Sequence, residues 1–317
     1  MKPPRGPFAA GDQVQLTDPK GRMHQIVLAP GGTFHTHRGS LRHDDLIGAP
    51  EGSVVTATGG TAYVALRPLL ADFTLAMKRG ATIVYPKDAA QIVAYADVFP
   101  GARVLEAGAG SGALSCWLLR ALGPDGELVS FEARADFAEI ARANVARFYG
   151  GVPPQWRLLH GELSAAGAGE PGSFDRVILD MLAPWDCVPD AALALIPGGL
   201  VCCYVATTTQ LSRVVEELRG HGGFFEPAAW ESLVRGWHVD GLAVRPDHRM
   251  IGHTGFLVTA RRLAGGVTAP PRRRRPAKGA HPEAEPALGS EQELSGTSSD
   301  TPDTPVPRAI LGTPGTP

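Results

Sequence analysis

Gly108, Gly110 and Gly112 stand at alternate positions directly after the apolar run Val104-Leu-Glu-Ala, and an apolar helical pattern, Ala113 to Leu122, begins where they stop. Glycine weakens strand and helix interiors, so the segment reads as a buried strand, a tight turn and a helix. A backbone without Cβ atoms lets a ligand come close there, and the N–H groups of the first helical turn face it. Turns use glycine for their own geometry too, so the neighbours must sharpen the reading. Glu106 lies two residues before the first glycine, and a second acid, Glu132, follows the next predicted strand, Glu127 to Phe131. A carboxylate about 20 residues beyond such a turn is placed to accept the two hydroxyls of a ribose.

A dinucleotide turn, Gly-x-Gly-x-x-Gly, would put its third small residue at Ala113 and asks for neither Gly112 nor Glu106. An acid-x-Gly-x-Gly-x-Gly turn is what class I S-adenosylmethionine methyltransferases carry. A carboxylate at Glu106 suits a ligand with an ammonium and a sulfonium, whereas it would repel a pyrophosphate. The turn therefore points to S-adenosylmethionine rather than NAD. Glu162, after the third strand of this region, lies where the exocyclic amine of an adenine is commonly read; an exposed turn acid is the alternative.

The surroundings fit an open α/β sheet. Strands are expected at 103–107, 127–131, 156–160, 176–180 and 199–206, with helices near 88–98, 112–122, 135–148, 187–196 and 209–219. That alternation predicts a parallel sheet covered on both faces. Two further β-like runs, His238 to Val244 and Gly255 to Ala260, are separated by a loop and should pair antiparallel at one edge, giving a Rossmann-like seven-stranded sheet. Before it, Gln13–Leu16, Met23–Leu28, Ser53–Ala57 and Ala62–Leu66 are short β-type runs broken by turn signals, as in a small sandwich or barrel. The expected organisation is a β-domain over residues 1–72, a methyltransferase domain over 73–264, and a disordered tail over 265–317 whose composition cannot repay its ordering entropy.

Charge divides along the chain. Residues 281–317 hold six acids and one base, leaving 29 bases and 26 acids in residues 1–280, a mildly basic body that permits RNA binding. Arg272 to Arg275 read as a solvated tether or as an arm that grazes phosphates. No run approaches the ~18 apolar residues of a membrane span, and the N-terminus lacks a secretory h-region. Cys116, Cys187, Cys202 and Cys203 lack metal spacing and read as reduced residues of a cytoplasmic protein, the adjacent pair pointing to opposite sheet faces. His35-Thr-His37 with His43-Asp44 has potential metal ligands but no complementary cluster, so no metal is expected; Arg38 and Arg42 suit phosphate or carboxylate partners instead.

The second key segment is Phe174-Asp-Arg-Val-Ile-Leu-Asp180-Met-Leu-Ala-Pro-Trp185, an apolar strand that stops at an acid. Open α/β sheets bind ligands at that carboxyl edge. Asp180 is placed to contact a target base while an aromatic stacks on it; a helix N-cap is its alternative role, and Asp175 is the structural acid of the pair. Tyr85 precedes Pro86, which favours an extended backbone and lets the ring lie over the cofactor cleft.

Taken together, Phe34-His-Thr-His-Arg-Gly, Tyr85-Pro-Lys-Asp, Val104 to Gly112, Asp180 to Trp185 and Gly252-His-Thr-Gly-Phe-Leu-Val258 resemble the bacterial tRNA (adenine-N1)-methyltransferases that modify adenosine 58 of the T-loop, the actinobacterial members in particular. The resemblance covers residues 10–263 and implies a homotetramer acting on tRNA in the cytoplasm. It implies that Ser111, Gly112, Ala113, Leu114 and Glu132 hold the methyl donor with Phe137 beside it, that Asp180 is the active-site acid, and that Tyr85 shapes the target pocket. A class I methyltransferase of proteins or small molecules is the alternative enzyme, though it would need neither the β-domain nor the acid-Pro-Trp loop. A non-catalytic tRNA-binding subunit would show a degraded turn and no acid at position 180.

Overall fold

The computed structural model describes residues 5–270; most of the tail expected over 265–317, Arg272 to Arg275 included, lies outside the described residues. The short runs near the N-terminus become six strands: β1 (Gln13–Thr17), β2 (Met23–Val27), β3 (Thr33–Thr36), β4 (Gly39–Arg42), β5 (Val54–Thr56) and β6 (Ala62–Leu66). Four of them form an antiparallel sheet in the order β2-β1-β6-β5, and β3 pairs with β4 as a separate hairpin. Val14, Leu16, Leu28, Tyr63 and Ala65 make the core here, joined by Phe8, Leu41 and Leu46. The hairpin was not among the expected strands. Its outward positions are the exposed His35 and His37, while Phe34 turns inward to meet Tyr63 edge-on at 6.3 Å. Among the described residues no group of side chains is arranged to hold a metal ion, and His43 is buried, its Nδ1 accepting from the Ala29 N–H.

The chain continues through α1 (Leu70–Ala76), α2 (Pro86–Tyr95), β7 (Arg103–Ala107), α3 (Ala113–Leu122), β8 (Glu127–Glu132), α4 (Ala135–Tyr149), β9 (Trp156–His160), α5 (Ala165–Ala168), β10 (Phe174–Asp180), α6 (Val188–Ala194), β11 (Leu195–Val205) and α7 (Thr208–His221). It ends in β12 (Ala228–Trp230), β13 (Trp237–Asp240), β14 (Ala243–Pro246) and β15 (Phe256–Arg261). The large sheet has the order β12-β15-β11-β10-β7-β8-β9. Strands β9, β8, β7, β10 and β11 are parallel, as the alternation with helices requires. Alternate residues feed two cores: Val104, Leu128, Ile178 and Cys202 pack on one face, and Leu105, Val129, Val177 and Cys203 on the other. The four cysteines are buried and unbridged.

One expectation is overturned at the edge. The run His238 to Val244 does not join the sheet; its residues lie in β13 and β14, which pair only with each other. The antiparallel edge is built instead by β15, inserted between β11 and β12, so the seventh strand is Ala228–Trp230. The alternation in 237–246 was real, but it belongs to a hairpin whose residues stay almost wholly exposed. Asp175 is structural as expected: its carboxylate accepts the Arg103 N–H at 2.8 Å and fixes the start of β7.

Candidate active site

Three neighbouring strands, β10, β7 and β8, bring Asp180, Glu106 and Glu132 to the carboxyl edge of the sheet. Glu106 is fully buried, opposite Ser130 in the β7–β8 ladder and Ile178 in the β7–β10 ladder. Ser115 and Ser130 donate to its Oε2 at 2.7 and 2.5 Å, and the Trp156 indole N–H in turn donates to the Ser130 hydroxyl at 2.9 Å. Its Oε1 has no protein partner. Burial pushes the Glu106 carboxyl up to about 7 against those two hydrogen bonds, and the charge of Glu132 adds to the rise. Asp180, half-buried at the end of β10, is also raised to about 7, by burial first and then by the charges of Glu106 and Glu132. Among the described residues, no Lys, Arg or His forms an ion pair with any of the three. A site that gathers unpaired carboxylates favours a cation, because a positive ligand returns each acid toward its ordinary ionisation.

The glycine turn has a defined job at each position. Gly108, at φ +88°, lies so close to Asp180 that a Cβ there would sit 1.8 Å from the Asp180 carbonyl oxygen. Its bareness therefore seats Asp180 as well as leaving room for a ligand. Gly112, at φ +77°, lets α3 pack on α4 with a Cβ only 3.1 Å from Ala141, whereas at Gly110 the first contact is 3.6 Å away. The Gly110 N–H donates to Glu132 Oε2 at 2.8 Å and the Arg134 N–H to Oε1 at 3.0 Å, which orients that carboxylate beside the turn. The side chains of Ala113 and Leu114 point into the core, so what they present to a ligand is backbone N–H.

The Ser111 side chain has a structural task. Its hydroxyl is engaged by the segment before α2, accepting from the Gly80 N–H at 3.1 Å and lying 3.3 Å from the Ala81 nitrogen. Buried Asn144 of α4 secures the same junction, donating to the carbonyls of Lys78 and Ser111 at 2.8 and 2.9 Å. Only the Ser111 backbone is left for a ligand. Phe137 lies under this segment, half-buried, with Gly80 against one side and the Arg134 guanidinium stacked at 3.8 Å. Tyr85 is the N-cap of α2 with the extended backbone expected before proline, φ −69° and ψ 153°. Glu162 is exposed just beyond β9, and its charge is felt at Cys187 across the edge of the sheet. Trp185 is packed on the core with Arg213 over its ring at 4.1 Å, so one face is already taken.

Sequence reading missed Ser115, Ser130 and Trp156, the residues that hold Glu106. It also missed a second cluster that joins two of its own motifs. Lys87 donates to Asp88 and Thr254 at 2.6 Å each and to the Ser232 carbonyl at 2.8 Å, so Tyr85-Pro-Lys-Asp meets Gly252-His-Thr. Tyr204, opposite Asp180 in the β10–β11 ladder, faces the same cluster through Thr254 and Asp88.

The sheet order, the glycine turn and the carboxylates at its edge define a class I S-adenosylmethionine-dependent methyltransferase fold. A solved S-adenosylmethionine-dependent O-methyltransferase from Thermotoga maritima superposes with a TM-score of 0.76 at 28% identity, over 84% of this chain and 96% of that one. The TrmI-like N-terminal family matches residues 6–55, and the family of the tRNA methyltransferase complex GCD14 subunit matches residues 62–245. The chain belongs to that tRNA methyltransferase family. The tRNA (adenine(58)-N(1))-methyltransferase TrmI of Thermus thermophilus is 39% identical over 247 residues, covering 78% of this chain and 95% of the relative. The tRNA (m1A58) methyltransferase structure from Aquifex aeolicus has a TM-score of 0.71 at 27% identity, over 81% of this chain and 99% of that one. A Methanocaldococcus jannaschii enzyme described as modifying adenines 57 and 58 is 30% identical, over 78% of this chain and 93% of its own length.

Proposed function

We propose that this chain transfers the methyl group of S-adenosylmethionine to N1 of adenosine 58 in the T-loop of tRNA. The observation that carries the reading is the set of three carboxylates, Glu106, Glu132 and Asp180, gathered without a basic partner beside a glycine turn, in a chain of this family. Buried Glu106, one of whose oxygens has no protein partner, supplies negative charge close to the donor's ammonium, and Glu132, already oriented by two N–H groups, accepts from its ribose. Backbone at Gly108, Gly110 and Ser111 to Leu114 forms the bed, with Phe137 beside it and Glu162 near the adenine end.

The donor, when bound, supplies an electrophilic methyl on a sulfonium. Adenine N1 has its lone pair at neutral pH, so the protein's task is placement in line rather than deprotonation. Asp180 accepts a hydrogen bond from the exocyclic amine and stabilises the positive charge that develops on the ring. Tyr85 supplies a stacking surface for the base once it is turned out of the T-loop. A tRNA substrate argues for a cytoplasmic enzyme. No helix among the described residues is long and apolar enough to cross a membrane. We further propose the division into a β-domain (1–72) and a methyltransferase domain (73–264), and assembly as a homotetramer. Support for assembly is the hairpin β13–β14, which exposes Trp237, Val239, Leu242 and Val244, because an isolated two-stranded hairpin is marginal in water and calls for cover.

The test is methyl transfer from labelled donor to unmodified tRNA, with the modified nucleotide mapped by reverse-transcription arrest. A stop at the T-loop adenosine confirms substrate and atom together. Donor binding with no transfer to any tRNA would move the substrate search to proteins and small molecules.

A further inference from the structure

Between β12 and β15 the chain makes an excursion, residues 231–254, that contains β13 and β14 and contributes no buried side chain. With no core of its own, it is positioned by what grips its base. Lys87, on the first turn of α2, touches both ends: its ammonium donates to the Ser232 carbonyl at 2.8 Å at one end and to Thr254 Oγ1 at 2.6 Å at the other. The third donation goes to Asp88 Oδ1 at 2.6 Å, so the three protons of the ammonium are all committed. Asp88 is buried at 1% exposure and also accepts from Thr254 at 2.6 Å. A charged pair this far from water is held only where its remaining hydrogen bonds are met, and here the excursion meets them. His253 adds a second grip, bridging Glu231 Oε2 at 2.9 Å and the Ala206 carbonyl at 2.8 Å.

The same cluster reaches the reacting edge of the sheet from two directions. Tyr85 caps the helix that carries Lys87, and Tyr204, facing Thr254 and Asp88, is the ladder neighbour of Asp180. We propose that Lys87 is a positioning residue: by pinning both ends of the 231–254 excursion to the first turn of α2, it fixes Tyr85 and Tyr204 relative to Asp180. This rests on the proposed reaction for its kinetic consequence but not for its structural one. Lys87 takes no part in holding the donor, which lies at the carboxylates and the glycine turn.

Two variants test it. Lys87→Met keeps the stem and removes the donors, and Thr254→Val removes the hydroxyl that accepts from Lys87 and donates to Asp88 while leaving the Lys87–Asp88 pair intact. Hydrogen exchange of the free protein should quicken in residues 85–88 and 231–254 for both variants, more for Lys87→Met, with the glycine turn unchanged; unchanged exchange in these segments overturns the proposal. In turnover, kcat should fall about tenfold or more while donor Kd stays within about twofold, the split expected of misplacement without lost cofactor contacts. A parallel loss of donor affinity would overturn it by putting Lys87 in the cofactor site. If Lys87→Met does not fold, the exchange and the kinetic split of Thr254→Val decide the matter. Wild-type protein that binds donor but methylates no tRNA would overturn the assigned substrate alone, since the exchange result stands without it.

Discussion

Gly108→Ala separates the two jobs of the glycine turn. The added Cβ would lie 1.8 Å from the Asp180 carbonyl oxygen and 2.8 Å from its carbonyl carbon, at a backbone φ of +88°. Non-bonded carbon and oxygen atoms settle beyond about 3 Å, so the turn and the end of β10 must part by about an ångström. The backbone conformation costs roughly 1–2 kcal/mol for any residue with a Cβ. Forced repacking adds about 1–3 kcal/mol. The total, about 2–5 kcal/mol, should lower Tm by roughly 5–15 °C in a chain of this size. The catalytic loss should be larger than stability alone explains, because an ångström of misplacement at Asp180 is worth about 100-fold in kcat. Gly110→Ala is the control: its Cβ meets nothing nearer than the Ala81 methyl at 3.6 Å, so it should carry the conformational cost and little else. The assays are thermal unfolding, donor binding by calorimetry and single-turnover methylation of tRNA. Equal kcat in the two variants would refute the argument that Gly108 seats Asp180.

Asp180→Ala should lower kcat by about 100-fold or more with a much smaller change in donor affinity, since its proposed contact is with the target base; weak donor binding with normal kcat would contradict that role. Donor binding should release protons, because a cation draws Glu106 and Asp180 down from about 7, and affinity should strengthen as pH rises from 6 to 8. Calorimetry in two buffers of different ionisation enthalpy measures the release. The sign for the free protein is opposite: both acids are raised when folded, so the folded chain keeps protons that the unfolded chain has lost between the ordinary carboxylate range and about pH 7, and their contribution to stability falls as pH rises through that window. Urea unfolding at pH 5.5 and 7.5, with and without donor, checks it; a proton uptake on binding would sink this account. If the proposed assembly uses this hairpin, Leu242→Lys should lower the particle mass in sedimentation without lowering donor affinity.

What was legible followed from local pattern. The strands β7, β8, β10 and β11 announce themselves as apolar runs because both faces of a parallel sheet are buried there. The glycine turn announces its shape because only glycine takes those φ values cheaply. Tyr85 could be placed because proline restricts its neighbour. The seventh strand was not legible: Ala228–Trp230 is three residues long and two of them are exposed, so it has no period to read. The hairpin 237–246 misled for the converse reason, alternating like a half-buried strand while lying outside the sheet. Within the site, the acids were readable from their positions at strand ends, but their partners were not. Ser115 and Ser130 stand 9 and 24 residues from Glu106, and Thr254 stands 167 from Lys87; those contacts exist only through the topology. The engagement of the Ser111 hydroxyl by the backbone at Gly80, 31 residues away, is likewise a product of the topology.

The three carboxylates also give the proposed reaction a direction. Burial first, and then the charges of neighbouring acids, raise the Glu106 and Asp180 carboxyls well above the ordinary carboxylate range, a strain that a cationic donor relieves. Methyl transfer turns the sulfonium into a neutral thioether, so this cluster should bind the donor more tightly than the spent by-product on charge grounds alone. The positive charge does not vanish; it moves to the methylated ring, and Asp180 is the member of the cluster assigned to that side. Glu106 is fixed by two serine hydroxyls and has no freedom to follow the charge, whereas Asp180 is half-buried at a strand end with no partner of its own among the described residues. On the proposed reaction the division of labour is set by which acid is anchored: the anchored one would recognise the donor before transfer, and the unanchored one would answer the charge as it arrives.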